Sequence, residues 1–169
     1  VPANTATDDQ EGSFAIYTFT FQSAVKADGV RIAGTAAGHT SCAEIAVYAA
    51  EVPVEPVRDV NITSYGAPIV CCTDPKGAGN KDIHVICDGV FPEVSGTGDQ
   101  QYDTWGSTPH DGNCYFGMEF LGICDFTRFV YQTGAHYPDG GWFIGDSIRL
   151  QVKQDDRWIE MDPANYTVT

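Results

Sequence analysis

The stretch ADGVRIAGTAAGHTSCAEIAVYAA, residues 27–50, reads as two strands around a loop. Asp28-Gly29 marks a turn before a strand over Val30–Ala33, because that pair favours tight backbone reversal. Gly34 to Gly38 is a loop. A second strand over Ala43–Tyr48 sets Ile45 and Val47 on the face opposite Glu44 and Tyr48, the period of two that a half-buried strand requires.

Working outward, Phe14 to Phe21 alternates in the same way. Ala15, Tyr17, Phe19 and Phe21 share one face, while Thr18 and Thr20 share the other. Residues 1–12 are polar and read as extended. Downstream, Ile83–Cys87, Tyr115–Phe120, Phe126–Gln132, Ile148–Lys153, Arg157–Met161 and Tyr166–Thr169 read as strands. Between them, residues 92–113 form a long polar loop region holding QQYDTWG (100–106), and loops of that length usually carry function or a bound ion. No helix-period stretch of useful length occurs, so the fold class is all-β.

Residues 51–58, Glu-Val-Pro-Val-Glu-Pro-Val-Arg, carry Pro53 and Pro56 three apart. That spacing favours polyproline II, in which eight residues span about 25 Å at ~3.1 Å each. Such a spacer holds its ends apart and divides the chain into 1–50, a linker 51–58, and 59–169.

The chain has 169 residues, enough to bury a proper core, and a net charge of −14 from 9 basic and 23 acidic residues. That charge repels nucleic acid and anionic membranes. There is no run of 18 apolar residues, hence no membrane span, and no signal-peptide pattern. Val1 in place of Met reads as a processed or trimmed start.

Six cysteines occur, Cys42, Cys71, Cys72, Cys87, Cys114 and Cys124, none in a CxxC pair. A zinc ribbon or thioredoxin-like site is therefore not expected. An even count in an acidic, strand-rich chain favours disulfides, an oxidising compartment and a secreted or cell-surface location. About 15 pairings are possible. Cys71 and Cys72 point to opposite faces of a strand, so they take different partners. Asn61-Ile62-Thr63 and Asn165-Tyr166-Thr167 are N-glycosylation patterns, in keeping with a secreted glycoprotein.

No GxSxG, HExxH or phosphate-loop spacing is present, and His39 near Ser41 is supported as a dyad by proximity alone. The loop Asp74–Lys81, with two Gly and two Lys, reads as structural. The four histidines at 39, 84, 110 and 136 lack metal-ligand spacing. The chain is expected not to be an enzyme. Asp88, Asp103, Thr104 and Glu44 offer the oxygens a hard cation such as Ca²⁺ prefers. Read singly, each is an Asx-turn or a solvated carboxylate, the reading that composition alone favours. In His136-Tyr137-Pro138-Asp139-Gly140-Gly141-Trp142-Phe143, the residues His136, Tyr137, Asp139 and Trp142 could bind a sugar by ring stacking and hydroxyl contacts. Trp142 and Phe143 could equally plug the core.

Several segments together resemble the discoidin-like (coagulation factor type C) modules of the galactose-binding-domain superfamily. KDIHVICDGV (81–90) looks like the family's early strand and Asp-Gly turn, and QQYDTW (100–105) like its following loop. DFTRFVYQTGAHYPDGGWFIGDSIRLQVKQDDRWIEM (125–161) looks like the central strands. GVRIAGTAAGHTSCAEIAVYA (29–49) looks like the closing strands, with a Glu before the last. The resemblance implies an eight-stranded antiparallel jelly-roll β-sandwich in circularly permuted or strand-exchanged order. It also implies a structural Ca²⁺ held by Asp88, Asp103, Thr104, Glu44 and the carbonyl of Ala43.

Closing strands that come first leave three arrangements. The chain folds back to close a monomer, it donates residues 1–50 to a neighbouring copy, or it is a window of a covalent tandem array. A stiff spacer favours the latter two, both of which give a head-to-tail homopolymer, an extracellular filament. The alternative is a monomeric carbohydrate-binding module with glycans as partners.

Overall fold

The structure, a computed structural model, describes residues 14–50, 59–93, 98–106 and 113–169. The linker 51–58, the extended reading of 1–12 and His110 lie outside these. Nine strands are described: β1 (Ile16–Gly34), β2 (Ser41–Ala50), β3 (Asp59–Asn61), β4 (Gly66–Val70), β5 (Tyr102–Asp103), β6 (Cys114–Thr133), β7 (Arg149–Gln154), β8 (Arg157–Glu160) and β9 (Tyr166–Val168). All their pairings are antiparallel, and no α-helix occurs among the described residues. None of the described residues form a helix long and apolar enough to cross a membrane.

The two long strands β1 and β6 pair from Ile16↔Gln132 to Gly34↔Cys114 and organise everything else. Their ladder breaks twice. Thr20↔Arg128 is followed by Val25↔Phe126, so Phe21–Ala24 lie opposite Thr127 alone. Ala27↔Cys124 is followed by Gly29↔Glu119, so Phe120–Ile123 lie opposite Asp28 alone. Compensating insertions on opposite strands bend both at one place, as bulges do. The bend folds the sheet over on itself. One half holds β3, β2, the end of β6, the start of β1 and β9; the other holds β4, the start of β6, the end of β1, β7 and β8.

The proof of folding-over is aromatic. Phe116 and Tyr131 lie fifteen residues apart on β6 and would be about 50 Å apart on a straight strand. Their rings stack with centroids 6.3 Å apart, and Phe143 closes the gap at 6.4 Å from Phe116 and 6.0 Å from Tyr131. The core between the halves includes Phe19, Ile32, Ile45, Val47, Met118 and Phe129, all fully buried. This is an antiparallel, sandwich-like all-β arrangement. Tyr17, Phe19 and Phe21 do share the buried face of β1, and Ile45 and Val47 that of β2.

Several local expectations are corrected. Asp28-Gly29 is not a turn between strands; it sits inside β1 at the second ladder break. Tyr115–Phe120 and Phe126–Gln132 are one strand, β6. Ile83–Cys87 is a 3-10 helix rather than a strand, because Asp82 caps it by accepting the His84 N–H at 3.0 Å. The apolar residues that mimic a strand there bury only Ile86 fully. Ala50 pairs directly with Asp59, so within this chain the flanks of the linker are neighbours, not held apart.

Candidate functional site

The end of the molecule opposite the bend carries the loops. β1 finishes there at Gly34, β2 begins at Ser41, and β6 finishes at Thr133. Loops 35–40, 74–79, 98–106 and 136–141 meet around a cleft of about 300 Å³. That is at the small end of the range for ligand pockets.

The 136–141 loop is a tight reversal in which Tyr137 and Gly140 exchange N–H···O bonds at 2.8 and 3.0 Å. Gly140 has φ +139°, and a Cβ there would stand 2.0 Å from the Ala37 carbonyl oxygen. Only glycine lets this loop press against 35–40. The reversal stacks Tyr137 against His39, centroids 6.4 Å apart, on the cleft wall. Asp139 joins them at the rim, exposed.

On the facing wall Asp103 is buried, and its two oxygens accept N–H bonds from Gly79 (2.7 Å) and Trp105 (3.0 Å). Gly77 packs so close that a Cβ would lie 2.1 Å from an Asp103 oxygen. The two glycines of the 74–81 loop are therefore there to wrap a carboxylate. This role was missed at the level of sequence, although paired glycines near a Lys were its signal. Trp105 stays 46 % exposed at the mouth, and Lys76 lines the same wall while its ammonium pairs with Asp74. Ring faces beside carboxylates and a cation suit a polyhydroxylated ligand.

The predicted sugar residues divide. Tyr137 and Asp139 line the cleft, joined by His39, Asp103 and Trp105. His136 is buried behind them and packs on the half-buried Trp142 with centroids 5.4 Å apart, while Phe143 plugs the core. The Ser41 hydroxyl donates to the Gly141 carbonyl at 2.9 Å, so it serves the backbone.

Of the five residues implied for Ca²⁺, Asp103 lines the cleft, and Glu44 and Asp88 line a separate hollow. Asp103 is committed to the cleft wall, and the Thr104 hydroxyl accepts the Thr40 N–H at 3.0 Å. Among the described residues no group of three or more His, Cys, Asp or Glu is arranged to hold a metal. Glu44 and Asp88 do come together elsewhere, beneath the 88–92 segment. Glu44, next to Ala43 on β2, is 1 % exposed, with one oxygen accepting the Gly89 N–H at 3.2 Å and the other without a hydrogen-bond partner. Burial, with help from the neighbouring Asp88 carboxylate, pushes its pKa up to about 8 against the opposing Gly89 bond.

Of the six cysteines, Cys42, Cys72 and Cys114 are buried and Cys71, Cys87 and Cys124 half-buried. Asn61 and Asn165 both lie on the surface. Asn61 additionally accepts bonds from the Thr63 N–H and hydroxyl at 2.9 and 2.7 Å. No protein-family model, curated protein or solved structure matches this chain.

Proposed function

We propose that this chain is a non-enzymatic, extracellular structural subunit that assembles head to tail into a filament. In this reading each copy donates residues 1–50 to complete a discoidin-like jelly-roll sandwich in the next. One observation carries it. Among the described residues β1 and β2 pair only with strands from 59–169, and the segment 51–58 joins the two parts along the chain. Exchanging 14–50 between copies therefore keeps every strand pairing and changes only the path of the linker. Pro53 and Pro56 bias that linker toward extension and against the return from Ala50 to Asp59. An open exchange of this kind does not close on itself and propagates as a fibre.

Light scattering and negative-stain microscopy test it. Wild-type protein is expected as high-molecular-weight fibres, and the Pro53→Gly, Pro56→Gly double variant is expected to shift toward monomer. Screening of the −14 charge by added salt is expected to promote assembly. A monodisperse 18.3 kDa species at every salt and protein concentration would rule the reading out.

The cleft favours a second reading, a carbohydrate-binding module. Trp105→Ala removes the exposed ring at its mouth and is expected to weaken binding to a galactoside by roughly tenfold in calorimetry. No heat of binding with the wild type, across a panel of common sugars, would end this alternative.

A further inference from the structure

We propose that four of the six cysteines form two disulfides, Cys42–Cys87 and Cys72–Cys114. The second pair follows from strand register. β4 and β6 pair from Gly66↔Phe120 to Val70↔Phe116. The Cys71 N–H donates to the Tyr115 carbonyl at 3.2 Å, which carries the same register one residue further. The next step sets Cys72 opposite Cys114. Hydrogen-bonded and non-hydrogen-bonded pairs alternate along an antiparallel ladder. β4 itself ends at Val70, and continuing its register two residues makes 72/114 a non-hydrogen-bonded position, where a regular ladder sets Cα atoms about 4.5 Å apart, within the span a disulfide bridges. Val70, Cys72, Phe116 and Cys114 are all buried, as residues on one face of paired strands should be. Cys71 points the other way, toward Arg31, and Cys124 lies opposite Ala27 at the bend.

The first pair follows from the packing of the Ile83–Cys87 helix on β2. Cys42 points into the core with its sulfur 3.7 Å from the Glu44 carbonyl. Two residues beyond Cys87, Gly89 bonds the Glu44 side chain. Cys87 is half-buried and packs against the core, at the end of a helix that contacts β2. Burial pushes both thiols up, Cys42 further by the charges of Glu44 and Cys87, and Cys87 further by those of Glu44, Asp88 and Asp82. Thiols so held are poor nucleophiles once folded, so the bonds form as the chain closes.

Each bond forms by thiol–disulfide exchange. One thiolate attacks an external disulfide and releases its first thiolate, and the second thiolate attacks the resulting mixed disulfide and releases the other. Two thiols lose two protons and two electrons, and the external disulfide leaves as a dithiol.

The Cys42–Cys87 bond ties residues 1–50 to the body. On the filament reading, which this consequence alone rests on, it joins one copy to the next. Cys72–Cys114 is intrachain in either case.

The test is peptide mapping of the full chain purified without reductant and alkylated after denaturation. Digestion at Lys/Arg and at Asp/Glu separates Cys42, Cys87, Cys114 and Cys124, and Cys71→Ser against Cys72→Ser resolves the vicinal pair. Cys42 linked to Cys87, and Cys114 linked in C71S but not in C72S, is the expected result. Reduction is expected to lower the melting temperature by about 10 °C. Any other partner for Cys42 or Cys72, or alkylation of all six, overturns the pairing. A non-reducing gel then separates the two claims. The expected linked peptides in a ladder support exchange as well; the same peptides in an 18.3 kDa band leave the pairing standing and remove the exchange.

Discussion

Glu44→Gln is expected to stabilise the protein by roughly 4 kcal/mol at pH 9 and by almost nothing near pH 4. The cause is a carboxyl whose folded pKa, about 8, stands well above its ordinary 4.5. The native state keeps a proton that the unfolded chain releases, so wild-type stability falls as pH rises from about 4.5 to about 8 and is flat above that. Glutamine has no charge to bury and removes the slope. The surroundings agree. Glu44 pairs across the sheet with Gln132, and each has one buried oxygen without a hydrogen-bond partner. A proton on Glu44, or the amide of a glutamine there, supplies a donor beside the Asp88 carboxylate. Urea denaturation at pH 5 and pH 9 measures the effect. The −14 background charge also weakens the fold as pH rises, so the difference between the two proteins is the quantity to read. Parallel curves at both pH values would mean that Glu44 is ionised and solvated throughout.

Phe116→Ala is expected to cost about 3–5 kcal/mol, because it opens a cavity where the folded-over halves of the sheet meet. The ring touches Tyr131 from the other half of its own strand and Phe143 from the loop beyond it. Leu121→Ser is the matched control. Leu121 sits in the bulge of β6 at the bend, fully exposed, and its loss is expected to change stability by less than about 0.5 kcal/mol. Equal effects from the two substitutions would show that β6 does not bend where the ladder breaks.

The contrast between these residues marks what was legible in advance. Alternation at Tyr17, Phe19 and Phe21 and at Ile45 and Val47 identified buried strand faces, because a strand's side-chain period is a local property. The same rule misread Ile83–Cys87, where a cap on Asp82 rather than periodicity chose the conformation. It also split β6 in two, since Phe120–Ile123 interrupts the pattern. Tyr137 and Asp139 were visible as candidate ligand contacts beside a double glycine. His39, Asp103 and Trp105 became their neighbours only because three other loops end at the same edge of the sheet.

The amino-acid order by itself determined that this is an all-β chain, acidic, with alternating faces and a single proline-marked division near its first third. Those are properties of composition and of near neighbours. Tertiary structure alone decided that β1 and β6 bend together, that Ala50 returns to Asp59, that Glu44 is buried beside Asp88, and which loops share a cleft. Each depends on partners distant along the chain, and pairing energy summed over a long ladder overrides the local preference of any one segment.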